Sequence, residues 1–331
     1  MTSSSSDPPR RLGEFELIAK LFAPLATSAG AFGLADDVAT LSLPPGHELV
    51  AKVDAIVEGV HFFRDDPADL IAKKALRVNL SDLAAKGATP IGYLLSLSVA
   101  PWCTDEWLTR FAAGLGEDQV EFGLSLLGGD TTATPGPLAL SVTALGSIEA
   151  GRTIRRRGAQ PGDRVFVSGT IGDAGAGLAL LKGGEGPHSL SERQYLIGRY
   201  RVPQPRLALG LRLVGLASAS LDVSDGLIAD LGHIAEVCRV SIRVTASSVP
   251  LSPACANFWG HNAVQRAVTA GDDYEIAFAA PESARTAIMQ AAAASEVPVH
   301  EIGYVQPGAG VTLLDDHGQP ASMGRAGFTH F

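Results

Sequence analysis

Cysteine is scarce in this chain. Cys103, Cys238 and Cys255 are its whole complement in 331 residues, spaced for neither a disulfide framework nor a zinc site. A reducing compartment, the cytoplasm, is the expectation that follows. No run approaches the ~18 consecutive apolar residues of a membrane helix. The phosphate loop G-x-x-x-x-G-K-[ST] is missing, as are the kinase H-R-D and D-F-G signatures and the G-x-S-x-G nucleophile elbow. Positive charge is also short: the net charge of −9 argues against a general nucleic-acid binder or a binder of anionic membranes. It does not exclude an anionic substrate, because metal ions can mask local charge. The opening MTSSSSDPPRR lacks the apolar core of a signal peptide, and residues 1–12 read as a disordered lead-in.

What remains is a globular composition, 46% hydrophobic and 18% charged, long enough for two domains. Apolar spacing predicts helices over 14–26, 66–88 (with an interruption around Asn79–Ser81), 104–123, around 191–217 and over 282–295. Strands are predicted at 48–57, 91–100, 124–130, 138–148, 241–245, 275–280 and 311–314, with another at "RVFVSG". The glycine- and arginine-rich stretch 149–163 marks a boundary near 150, giving domains 13–150 and 151–331 of α/β or α+β class.

Within β-strand 48–57, side-chain alternation places Ala51, Val53 and Ala55 on one face and Lys52, Asp54 and Ile56 on the other. Other aspartates stand beside glycines or hydroxyls at predicted element ends: Asp36 and Asp37, Asp82, Asp130, Asp222 and Asp225, Asp272 and Asp273. Magnesium takes carboxylate oxygens, waters and phosphates, so such a set matches what a Mg–ATP site requires. Singly, each has a plainer reading. Aspartate after glycine is a common turn residue. Ser81-Asp82 and Ser224-Asp225 would cap helices at strand-to-helix junctions. Arg152 and Arg155–Arg157 form a solvated basic face or a phosphate clamp. "VSGTIGDAGAGLAL" offers either amides for an anion or close strand–helix packing.

Taken in order, "GEFELIAKLF", "LADDVATL", "VDAIVEGVHF", "KALRVNLSDLAAKGATP", "LLGGDTT", "RRRGAQPGDRVFVSGTIGDAGAGL", "LDVSDGLIADLGHIA", "AGDDYEIAF" and "GFTHF" resemble the thiamine-monophosphate kinases. These belong to the ATP-binding superfamily of aminoimidazole ribonucleotide synthetase and selenophosphate synthetase. The resemblance implies an N-terminal α/β domain whose sheet enters a dimer-spanning β-barrel, with a C-terminal α+β domain. It implies a homodimer that uses ATP and several Mg²⁺ to phosphorylate thiamine monophosphate to thiamine diphosphate, directly and in line, without a general base. By motif position it implies Asp37, Asp54, Asp82, Asp130, Asp222 and Asp225 as metal ligands. Gly129, Asp130, Arg156 and Ser224 would contact ATP. His61, Asp272 and Phe328 would contact the substrate.

Four positions depart from that pattern. Lys52 and Val53 stand where the family usually has Ser-Thr before the aspartate of "VDA". Ala35 replaces the glycine of "GDD", and Asp272 replaces a common glutamate. The alternatives are a relative acting on another phosphate or acyl acceptor, and a silent nucleotide-binding dimer.

Overall fold

A computed structural model describes residues 12–184, 189–322 and 327. The lead-in up to residue 11 and the candidate Phe328 lie outside the described residues. Helix α1 (Glu14–Leu17) continues as a π turn, Ile18–Phe22, and a 3₁₀ turn, Ala23–Leu25. Strand β1 (His47–Val57) leads to α2 (Ala68–Lys86), β2 (Thr89–Val99) and α3 (Asp105–Phe122). Local chemistry fixes the ends of α3. The Thr104 hydroxyl accepts the Trp107 N–H at 3.1 Å, and Gly123 closes the helix at φ 69, where a side chain would be strained. Strands β3 (Ser125–Ala133), β4 (Ala139–Glu149) and β5 (Arg164–Ser168) follow, then α4 (Asp173–Leu181), α5 (Leu190–Arg201) and α6 (Leu207–Leu213). The chain ends through β6 (Ala219–Asp222), α7 (Leu227–Cys238), β7 (Val240–Thr245), α8 (Pro253–Trp259), α9 (Ala263–Ala267), β8 (Ile276–Ala280), α10 (Arg285–Ala294), β9 (Val299–Pro307) and β10 (Gly310–Leu314).

Two sheets result. One has the order β1-β4-β2-β3 and is open, with β1 and β3 at its edges; the other has the order β10-β7-β9-β5-β8-β6. The six-stranded sheet is covered on both faces, which is why β5 and β8 read as apolar runs. Val165, Val167, Ala277 and Ala279 pack on one side with Leu221, Leu227, Leu231 and Ile242. Phe166, Ile276 and Phe278 pack on the other with Leu209, Leu213 and Ile288, the two phenylalanine rings stacked at 5.2 Å. Two compact units are distinguishable. One holds residues up to Ser42, Val53–Leu76 and Ile91–Ala144; the other holds Leu43–Lys52, Arg77–Pro90 and Leu145 onward.

Several expectations are corrected. Helix α2 runs unbroken through Asn79–Ser81, so Ser81 and Asp82 lie inside a helix and cap nothing. Strand β3 runs past the expected end at residue 130, with Thr131–Ala133 beside Leu97–Val99 of β2. Strand β9, which sequence spacing did not reveal, pairs with β5 and β7 in the sheet's interior. Helices α8 and α9 were not expected either.

Candidate active site

Alternation along β1 holds, but burial inverts its sense. Val53 is 56% exposed and Leu49 49%, with Ala51 and Ala55 also exposed, while Lys52, Asp54 and Ile56 are more covered. The apolar face of this edge strand looks outward and its charged face inward.

The unit that includes residues 53–76 and 91–144 holds Asp37, Asp54, His61, Gly129 and Asp130. Asp37 is exposed in the bend after the 3₁₀ segment Ala29–Leu34, which itself packs beside β3. The Asp54 carbonyl accepts the Ser141 hydroxyl at 3.4 Å. Asp130 is exposed on β3, in register with Ser96. At Gly129 a Cβ would come within 1.9 Å of the Leu95 carbonyl oxygen, so sheet packing alone demands glycine there. His61 is fixed twice: its Nδ1 accepts the Val57 N–H at 3.1 Å, and its carbonyl accepts the buried Lys74 ammonium at 2.9 Å. With Nδ1 accepting, the neutral ring carries its proton on Nε2.

The other unit brings the remaining acids into two groups. In the first, Lys52 Nζ lies 2.7 Å from Asp82 Oδ2. Asp222, buried at the end of β6, has its carboxyl pushed well above the usual range by burial and then by the Asp82 charge, with Lys52 opposing. Lys86 donates to the Ser220 carbonyl at 2.5 Å, and burial lowers its ammonium to about 8 against the pull of Asp222. Arg156 adds to that lowering, which places the guanidinium near this group. Sequence reasoning passed over Lys86, although it follows Asp82 by one helical turn.

The second group is the Val223–Gly226 loop and the 271–275 turn. Ser224 and Asp225 do not cap α7. Instead the Asp230 carboxylate accepts the N–H groups of Ser224, Asp225 and Gly226 at 3.0, 3.0 and 3.1 Å. Asp225, Asp230 and His233 hold potential ligand atoms within 4.8 Å of one another. The helical spacing of Asp230 and His233 was the available signal for them. Asp272 sits at φ 67 and donates its N–H to the Ser224 carbonyl at 2.8 Å. Asp273 is buried and accepts from the N–H groups of Gly172 and Ala174 at 2.8 and 3.4 Å. The glycine-rich start of α4 is thereby satisfied from within.

Arg155, Arg156, Arg157, Glu236, Val237 and Arg239 line an open cleft of about 530 Å³. The Arg156 backbone is steadied by the C-terminal end of α7, its carbonyl accepting the Cys238 thiol at 3.5 Å. All three cysteines are free thiols.

Aspartates on strands, in a bend, within α2 and in the loop before α7, in a chain without a phosphate loop, go with the class of AIR synthase related proteins. The family model for their N-terminal domain matches residues 35–148, and that for their C-terminal domain matches 160–316. Within that class, the chain belongs to the thiamine-monophosphate kinase family. It is 43% identical over 324 residues to the thiamine-monophosphate kinase of Caulobacter vibrioides, covering 96% of this chain and 90% of that protein. It is 39% identical to the Escherichia coli K12 thiamine-monophosphate kinase, covering 96% and 98%. Among solved structures, thiamine-monophosphate kinase from Stenotrophomonas maltophilia superposes with a TM-score of 0.80 at 41% identity, over 87% of this chain and 91% of that one. AaThiL complexed with AMPPCP and TMP superposes with a TM-score of 0.77 at 29% identity, over 98% and 100%.

Proposed function

We propose that this chain transfers the terminal phosphoryl group of ATP to the phosphate of thiamine monophosphate, giving thiamine diphosphate and ADP. That reaction is the last step in making thiamine diphosphate. The observation that carries the reading is the near-complete coverage of AaThiL complexed with AMPPCP and TMP. The acceptor is already an anionic phosphate, so positioning and charge neutralisation are sufficient and no general base is assigned.

Asp37, Asp54, Asp82, Asp130, Asp222 and Asp225 are the proposed ligands of several magnesium ions. The donors fit: they are hard carboxylate oxygens, and Asp222, buried against the Asp82 charge, is a group that a cation would relieve. Bound magnesium supplies charge neutralisation between the ATP phosphates and the acceptor phosphate. Arg156 holds nucleotide phosphate from its cleft, with Gly129, Asp130 and Ser224 contacting ATP. His61, Asp272 and Phe328 are the proposed contacts of thiamine monophosphate, with His61 offering its Nε2 proton and Asp272 a carboxylate to the cationic rings.

Residues 13–150 form the nucleotide, metal and dimerisation domain of this reading, and 151–331 the C-terminal α+β domain. The outward apolar face of β1 supports a homodimer in which that sheet enters a barrel shared by two copies. No described helix is long and apolar enough to cross a membrane, and the free thiols suit a cytoplasmic location.

The test is purified protein with Mg–ATP and thiamine monophosphate, with thiamine diphosphate and ADP both quantified. Equimolar products are expected. ADP without thiamine diphosphate points to another acceptor, and no turnover at all leaves a silent nucleotide-binding dimer.

A further inference from the structure

A cation already stands among the acids proposed to bind magnesium. Lys52 lies on the inward face of β1, and its ammonium is 2.7 Å from Asp82 Oδ2, with side chains only 31% and 16% exposed. Asp222, 6% exposed, feels the charges of both Asp82 and Lys52. A divalent ion would take a carboxylate oxygen at roughly 2.0–2.1 Å. An ammonium at hydrogen-bond distance already uses a lone pair of Asp82 Oδ2, and it repels any dication brought to that oxygen. Lys86 does not do the same job. Its ammonium is held by the Ser220 carbonyl, whereas Lys52 bonds a carboxylate directly.

We propose that Lys52 is a built-in cation of the Asp82–Asp222 pair and stands in for one divalent ion that these carboxylates would otherwise hold. The inference rests on the reading of these aspartates as magnesium ligands. A tethered ammonium brings one positive charge at no dependence on metal concentration. This chain therefore holds one fewer metal ion at these carboxylates than a chain with a neutral residue at position 52, with one positive charge in place of two.

The experiment counts Mn²⁺ bound per chain, from the electron paramagnetic resonance signal of the free ion, at saturating AMPPCP. Wild type, K52R and K52M are compared. K52M is expected to bind one more ion than wild type, and K52R the same number as wild type. Equal counts in wild type and K52M overturn the proposal, as does a gain in K52R equal to that in K52M. K52S carries the same expectation and replaces K52M if that variant does not fold. The count requires no turnover, so it is separable from the parent reading. A wild type that makes no thiamine diphosphate sinks the kinase assignment, whereas unchanged metal counts in an active enzyme sink only the role of Lys52.

Discussion

Glu275 is the residue whose loss the structure prices most clearly. It is fully buried next to the start of β8 and accepts the Ser168 hydroxyl at 2.6 Å and Arg199 Nη2 at 2.8 Å. It also accepts Arg206 through Nε at 2.7 Å and Nη2 at 2.5 Å. Glu275→Gln keeps the shape, removes the only negative charge named in these contacts, and turns an amide NH₂ toward guanidinium donors. Breaking a buried ion pair from one side costs about 3–5 kcal/mol, because the partner charge stays buried. Arg199 is 9% exposed and Arg206 21%, so water reaches Arg206 in part and favours the lower end, near 3 kcal/mol. For a unit of this size that is a fall in melting temperature of roughly 6–12 °C. Urea unfolding followed by circular dichroism reads the free energy directly. A loss below about 1 kcal/mol with an unchanged m-value would refute the claim that Glu275 is a buried, charged partner of both arginines. The consequence reaches the candidate site. Glu275 accepts the Val223 N–H on its carbonyl, and Tyr274 donates to Val223, so the cluster anchors the loop that carries Ser224 and Asp225.

Asp130→Asn should lower thiamine diphosphate formation by at least on the order of 10²-fold. Because Asp130 is exposed, its melting temperature should stay within about 2 °C of wild type, and near-normal turnover would remove it from the metal ligands. Lys86 titrates near 8 when folded and 10.5 when unfolded, so between those values the unfolded chain binds the extra proton and stability rises with pH. Relative to K86M, wild type should gain up to about 3 kcal/mol from pH 8 to 10.5 in chemical unfolding; a flat difference would place the ammonium in water. Val53→Lys should convert a dimer to monomers in light scattering coupled to gel filtration, and an unchanged mass would free the outer face of β1 from any interface.

Strands with even alternation, and helices with clear caps, were legible from the residues. Strand β9 was not. Its Glu301 reads as a surface charge but pairs with Arg285 at 2.6 Å, and its Gly303 reads as a breaker. A Cβ at Gly303 would lie 1.9 Å from the Arg243 carbonyl, so close strand approach demands the glycine. The interruption expected in α2 failed for a different reason. Asn79 and Ser81 are poor helix formers, yet both are buried inside a packed helix where tertiary contacts override propensity. At the candidate site, residue types and motif order were readable, but partners were not. Nothing in the spacing between Lys52 and Asp82, or between Asp230 and the loop before it, shows which charge meets which. The inward turn of β1's charged face likewise depends on what packs against it.

Both glycine-flanked helix starts in the second sheet's unit are stoppered by the protein's own acids, α4 by Asp273 and α7 by Asp230. Amides that elsewhere greet a phosphate are spent here on internal carboxylates, and the polarity of each turn is reversed. A polyphosphate arriving at these turns meets acid where other nucleotide folds offer bare N–H groups. It must then be gripped through side-chain cations or through ions it carries in with it. Nucleotide stripped of its metal should accordingly be a poor ligand, held by the arginine cleft alone.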